Sequence, residues 1–408
     1  MKITVQKFGG TSLKDKKSRE SVIRHIKTTL EQDQKIVVVV SAIGRYPDCY
    51  ATDTLLSLVD YPNHAVTKRE IDLLMSCGEI ISSVVLTNEL RKQNIRAYAM
   101  SGAQAGIVTT DQFMKANIKY INTTNIFHQL ENHDVIVIAG FQGETINREI
   151  TTIGRGGSDI TAAALGVALQ ANLIEIYTDV LGVMTADPKI VPVAKPIKIA
   201  SYLEASELAY QGAEVIHPTA IEIVMNEKVP IHIKPTFTKG KGTVITSKQI
   251  KNTYSLTRQL ITSIAYRRHL TRVSIHLKKH SLIEQSKVFK ILAKHNVSVD
   301  FIFLSPTKLM FTIPNELAEL TIKLLSNLSI YPTIQSNCAK VSIIGVQQKK
   351  LPQVISTAVG TLTNNGITIY QSSVHHTSVW LLIDDEHINC SINNLHNIFH
   401  YERKEVNG

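Results

Sequence analysis

The first 235 residues alternate short β-branched runs with helical stretches, and this alternation limits the fold more than any other feature of the chain. Residues Ile3–Phe8, 36–41, 95–100, Val135–Ala139, Leu173–Thr178 and 229–234 read as strands. Several are apolar almost throughout, as strands covered on both faces of a parallel sheet must be. Between them lie helical patterns at Lys16–Leu30, 68–92, 159–170, Tyr202–Tyr210 and 218–226. Strand and helix in alternation predict an α/β domain with a mainly parallel sheet. A polar stretch at 237–251 then reads as a connection. Beyond it the order becomes strand 261–275, helix 286–295, strand 298–304, strand 308–313 and helix 315–328. The same βαββα order returns at 339–346, 352–364, 367–372, 379–384 and 390–401. Units this short predict a pair of small α+β modules. The expected boundaries are 1–236, 237–259, 260–335 and 336–408.

Composition narrows the function classes. Of 408 residues, 44% are hydrophobic and 19% charged, an ordinary balance for a chain with a real core. No segment approaches the roughly 18 uninterrupted apolar residues a membrane helix needs. The start, Met1-Lys2-Ile3-Thr4-Val5, reads as a strand and not as a signal peptide, so a cytoplasmic location is expected. Cys49, Cys77, Cys338 and Cys390 lie far apart, and no pair has C-x-x-C spacing. Neither a zinc site nor a redox pair is indicated, and no protein metal ligand is assigned. The net charge is +10, with eleven Lys or Arg against one acid, Glu284, in residues 246–295. Without an arginine-rich tract or aromatic interleaving, that stretch reads as a solvated face more readily than as a nucleic-acid site.

In an open parallel sheet, ligands bind beyond the carboxyl ends of the strands. Here those ends carry glycines and reactive groups. The first strand ends in Lys7-Phe8-Gly9-Gly10-Thr11-Ser12 and the second in Ser41-Ala42-Ile43-Gly44. Further on come Ser101-Gly102, Gly140-Phe141-Gln142-Gly143 and Gly154-Arg155-Gly156-Gly157-Ser158-Asp159. Glycine lets the backbone approach a ligand, and its N–H can cradle phosphate. A helix starting after Gly-Gly-Ser-Asp offers free N–H donors to an anion. Lys7 can neutralise a phosphoryl group in flight, a reaction that depends mostly on positioning and charge. One Gly-Gly pair alone is usually just a turn. Glu79 alone reads as a helix-surface carboxylate, Thr52 and Asp53 as a helix cap, and Asp300 as a loop acid. There is no G-x-x-x-x-G-K-[ST] loop and no G-x-G-x-x-G motif, which excludes a P-loop enzyme and an obvious dinucleotide binder.

These runs, with Ser76-Cys77-Gly78-Glu79 and Tyr177-Thr178-Asp179-Val180-Leu181-Gly182-Val183-Met184-Thr185-Ala186-Asp187-Pro188, resemble the aspartokinases. The order of the motifs is the family's, and the C-terminal repeat resembles its tandem ACT domains. Residues 46–51 and Trp380-Leu381-Leu382-Ile383 resemble the diaminopimelate-sensitive branch of Bacillus-like bacteria. The resemblance implies an amino-acid kinase fold, and transfer of the ATP γ-phosphate to the side-chain carboxylate of aspartate. Mg²⁺ would bridge the phosphates.

By position, Lys7 would stabilise the moving phosphoryl group, with Phe8, Gly9 and Gly10 in the same nucleotide-binding turn and Ser41 by the phosphates. Glu79 would hold the substrate ammonium, with Thr52 nearby. Arg155 would clamp a carboxylate, and Ser158 and Asp159 would complete the pocket. Thr178, Asp179, Met184, Thr185, Ala186, Asp187, Pro188, Lys189 and Val215 would line the nucleotide. Asp300 would hold an effector's ammonium, and ACT pairing implies a homodimer. An aspartate carboxylate is already ionised at neutral pH, so no general base is assigned.

The chain also departs from the family pattern. Glu214 stands where a lysine is usual, and would repel phosphates. Thr219 and Lys189 replace frequent arginines. The run 345–354 lacks two glycines of a turn that often forms the effector pocket. Glu214 keeps open an alternative, a catalytically weak protein that senses an amino acid through its ACT pair.

Overall fold

The computed structural model describes residues 1–213, 215–247, 260–277, 282–375 and 377–400, with the side chains of 282–284 left aside. Glu214 and part of the basic stretch lie outside the described residues. The chain forms two compact units. One comprises Met1–Met184, Pro196–Tyr210 and Glu214–Thr253; the other comprises Thr185–Lys195, Gln211–Ala213 and Tyr254–Gly408. The α/β reading and the tandem α+β modules both hold.

The first unit is built on an eight-stranded sheet. From one edge its strands run Ile199–Ala200, Thr243–Ile245, Ile231–Pro235, Leu173–Thr178, Ile3–Phe8, Lys35–Val40, Val135–Ala139 and Ala97–Met100. All neighbours are parallel except Ile231–Pro235 against Thr243–Ile245. The central strands are buried on both faces, as their unbroken apolar runs require: Ile36, Val37, Val38, Val39 and Val40 are wholly inaccessible. Side chains alternate across the first strand. Gln6 donates to Thr29 on helix Lys16–Leu30, while Lys7 turns to the other face and meets helix Gly157–Ala168.

Six strands are not legible in the sequence: two-residue Ile199–Ala200, Thr243–Ile245, which pairs into the first sheet from within the stretch 237–251 read as a connection, and four more. Ile118–Ile121, Ile107–Thr109, Gln142–Glu144 and Ile150–Thr152 form a second sheet in that order. Each has only three or four residues, too few to establish a period of two. Helix Thr124–Asn132 also goes unread in the sequence.

The second unit carries one six-stranded antiparallel sheet, ordered Asp300–Leu304, Lys308–Pro314, Ser263–His276, Thr333–Ile344, Ser378–Asp384 and Gln371–Val374. Helices Leu282–Lys294 and Ala318–Ser326 belong to the first βαββα repeat, Leu351–Asn364 and Ile388–His400 to the second. The expected strand at 367–372 pairs only from Gln371 onward, because Ile367 is drawn into the core and bonds back to Leu362.

Candidate active site

At the carboxyl ends of the parallel strands lies a cavity of about 430 Å³. Lys7, Gly10, Ser41, Thr52, Glu79, Arg155, Ser158 and Asp159 all line it, so eight of the predicted residues converge from distant parts of the sequence.

The glycine turn has a steric cause. A Cβ on Gly10 would come within 2.5 Å of the carbonyl oxygens of both Ala42 and Gly44. These are backbone atoms that cannot rotate away, so only glycine lets the first two strand ends approach. Phe8 supports this turn from behind. Its ring is inaccessible and stacks 4.6 Å from Tyr177, and its carbonyl accepts from the Ser41 N–H at 3.1 Å.

Lys7 Nζ lies 2.7 Å from Asp159 Oδ1, with both side chains about one-seventh exposed (15% and 14%). Asp159 sits in the first turn of helix Gly157–Ala168, and its Oδ2 accepts from the His217 N–H at 3.3 Å. Ser41 donates to Ser158 Oγ at 2.9 Å, which ties the second strand end to the same helix start. Gly154 (φ +85°) and Gly156 (φ +74°) flank Arg155, both in the left-handed region that disfavours other residues. The arginine thus stands on a tight turn at the cavity wall.

Glu79 projects from helix Lys68–Arg91, and it is 3% exposed. Oε1 accepts from the Ala42 N–H at 3.0 Å, and Oε2 has no hydrogen-bond partner among the described residues. Burial pushes its carboxyl up to about 8, against the opposing hydrogen bond from Ala42. A carboxyl held this way ionises when a cation arrives. Thr52 opens the short helix Thr52–Ser57, whose N-cap is Ala51, so the capping role read from the sequence falls to neither Thr52 nor Asp53.

Several wall residues give no warning in the sequence. Met75 and Met114 line the cavity, and Met114 holds a left-handed φ of 69°. Phe141, also with positive φ (66°), does so from the end of a strand already suspected.

Residues 2–235 match the amino acid kinase family and residues 333–397 the ACT domain. Aspartokinase 1 of Bacillus subtilis is 45% identical over 400 residues, covering 98% of this chain and 99% of that one. The chain belongs to the aspartokinases. The aspartokinase of Geobacillus stearothermophilus is 36% identical over 406 residues, 98% of this chain and 97% of its own. A solved structure of Escherichia coli aspartokinase III with aspartate and ADP superposes with a TM-score of 0.79 at 26% identity, covering 97% of this chain and 99% of that one.

Within this member of the family, the predicted nucleotide residues divide. Thr178 ends the strand beside the first and Asp179 follows it. Thr178 donates to Asp179 at 3.2 Å, and Asp179 pairs with exposed Arg45 at 3.6 Å. Met184 bridges to Pro196 in the first unit, and Val215 is half-buried in a turn. Thr185, Ala186, Asp187, Pro188 and Lys189 belong to the second unit. There Thr185 bonds His396 at 2.9 Å, Ala186 enters the apolar core, and Asp187 accepts from the Tyr266 hydroxyl at 2.9 Å. Asp300 is likewise engaged: it pairs with Lys340, whose ammonium is buried 4.1 Å from the centre of the Trp380 ring.

Proposed function

We propose that the cavity binds L-aspartate beside ATP and transfers the γ-phosphoryl group to the side-chain carboxylate, giving 4-phospho-L-aspartate and ADP. The observation that carries this reading is the meeting of Lys7, Arg155 and the half-satisfied carboxyl of Glu79 in one glycine-walled cavity. An α-amino acid offers an ammonium for Glu79 Oε2 and an α-carboxylate for Arg155, which leaves its side-chain carboxylate to face Lys7. A carboxylate oxygen attacks the γ-phosphorus, and the bond to the β,γ-bridging oxygen breaks. No proton moves, so the site needs charge stabilisation and alignment, not a base. Lys7 supplies the first, and Asp159 holds the Lys7 ammonium in place.

Among the described residues no group of three or more His, Cys, Asp or Glu gathers to hold an ion. A Mg²⁺ ion held by the nucleotide phosphates and water is proposed, which would neutralise phosphate charge. Thr178, Asp179, Met184 and Val215 are proposed for the nucleotide side.

The two α+β modules are proposed to bind an amino-acid effector, with diaminopimelate, lysine and threonine as candidates. An effector ammonium at Asp300 has to compete with Lys340. The edge strand Asp300–Leu304 exposes Ile302, Phe303 and Leu304, which favours pairing with a second copy as a homodimer. No described helix is long and apolar enough to cross a membrane. A cytoplasmic location is proposed, and the four free cysteines are in keeping with a reducing compartment.

The test is aspartate-dependent ADP release with Mg²⁺ and ATP, with the acyl phosphate trapped by hydroxylamine. Hydroxamate formation that requires aspartate supports the reading; ADP release without it refutes it. The sensor alternative rested on Glu214, and the assembled cavity favours catalysis.

A further inference from the structure

Helix Lys68–Arg91 presents Met75 and Glu79 to the cavity, and Asp72, one and two turns earlier, lies on that same helix face. Asp72 is fully inaccessible and pairs with no cation among the described residues. Neutral donors surround it instead. Oδ1 accepts from the Thr152 hydroxyl at 2.6 Å, Oδ2 accepts from the Thr152 N–H at 2.8 Å, and the Met114 N–H is shared between the two oxygens at 3.0 and 2.9 Å.

One partner belongs to the cavity wall, and the other, buried behind it, leads into it. Met114 lines it directly in a left-handed conformation, and its carbonyl lies 3.1 Å from where a Cβ on Gly154 would stand. Thr152 ends strand Ile150–Thr152, three residues before Arg155. A buried carboxylate without a cationic partner is costly even when hydrogen-bonded, and a helix could bury an apolar residue at this position more cheaply. What only a carboxylate offers here is acceptance on both oxygens. Asparagine would turn an NH₂ toward the Met114 N–H, setting two donors face to face at one of these positions.

We propose that Asp72 is a positioning residue for the acceptor end of the cavity: it locks the Met114 turn and the strand leading to Arg155 onto the helix that carries Glu79. One side chain then sets the distance between the group that reads the ammonium and the group that reads the α-carboxylate. This rests on the roles given above to Glu79 and Arg155.

The experiment compares full-length Asp72→Asn, Arg155→Ala and the double variant in steady-state kinetics. Asp72→Asn is expected to lower kcat/KM for aspartate about 10- to 100-fold, the usual loss when a binding group is misplaced by an ångström or so. The KM for ATP should stay within about twofold, and the double variant should be hardly worse than Arg155→Ala, because the two losses pass through one group. Losses that multiply, or equal rises in both KM values, overturn the proposal for Asp72. An unchanged aspartate KM in Arg155→Ala instead overturns the role of Arg155. Should Asp72→Asn not fold, Thr152→Val removes one donor and keeps the shape. It should show a smaller loss confined to aspartate, with Thr152→Ser restoring wild-type kinetics; a Thr152→Ser variant as impaired as Thr152→Val also overturns the proposal.

Discussion

Aspartate binding should release a proton, and its affinity should rise with pH. Burial holds the Glu79 carboxyl near 8, so at pH 7 only about one site in ten is ionised before substrate arrives. The substrate ammonium needs the ionised form. Apparent affinity at pH 7 is therefore about tenfold, or about 1.4 kcal/mol, below its limit at higher pH. The same shift acts on stability with the opposite sense. Unfolded, the carboxyl ionises near 4.5; folded, it keeps its proton to about 8. The folded chain thus binds the extra proton between these values, and free-enzyme stability falls as pH rises across that window, by up to about 1.4 kcal/mol per unit. Calorimetric titration at pH 7 in two buffers of different ionisation enthalpy measures the proton directly. Close to one proton released per aspartate is expected, with affinity rising from pH 6 to 8, and Glu79→Gln should abolish both effects while weakening binding. Buffer-independent heats in the wild type would refute the reasoning, because Glu79 would then already be ionised or would not meet the ammonium.

Lys7→Met should lower turnover by about 10²- to 10³-fold in the ADP-release assay, since it removes the positive charge aimed at the reacting centre; turnover within tenfold of wild type contradicts that role. Gly10→Ala sets a Cβ 2.5 Å from two backbone oxygens, so it should abolish activity and lower the chemical-denaturation midpoint. Asp300→Asn strips the buried Lys340 ammonium of its anionic partner, and with Asp300 one-third exposed (32%) the loss should be about 1–2 kcal/mol by urea unfolding. The same variant should change inhibition by whichever of diaminopimelate, lysine and threonine acts on the wild type.

The sequence was most legible where the physics is repetitive. Leu173–Thr178 and Val135–Ala139 are apolar because both faces are covered, and that pattern shows without coordinates. Lys7, Glu79 and Arg155 were found because motifs name them, and the structure supplied what motifs cannot: that Glu79 is buried with one oxygen unsatisfied. No local pattern marks Asp72, because its partners, the Met114 N–H and Thr152, are 42 and 80 residues away. Met114 was invisible for the same reason, being a cavity residue on an irregular turn. Thr185 to Lys189 were read as one stretch with Met184, and the packing of Ala186 and Val191 against Ile264 and Val341 is a long-range fact no window of sequence contains.

That last feature governs how the molecule can be taken apart. The chain changes unit at 184/185, 195/196, 210/211, 213/214 and 253/254. A single cut after residue 247 would not yield a clean kinase half, because Ala186 and Val191 would remain on that fragment as greasy plugs without their socket. The complementary fragment would keep the socket and lose the plugs. The two units are stitched like a lace through two eyelets, so the catalytic fragment is best prepared by replacing 185–195 as well as by truncation, and limited proteolysis of the intact chain should not release an active half.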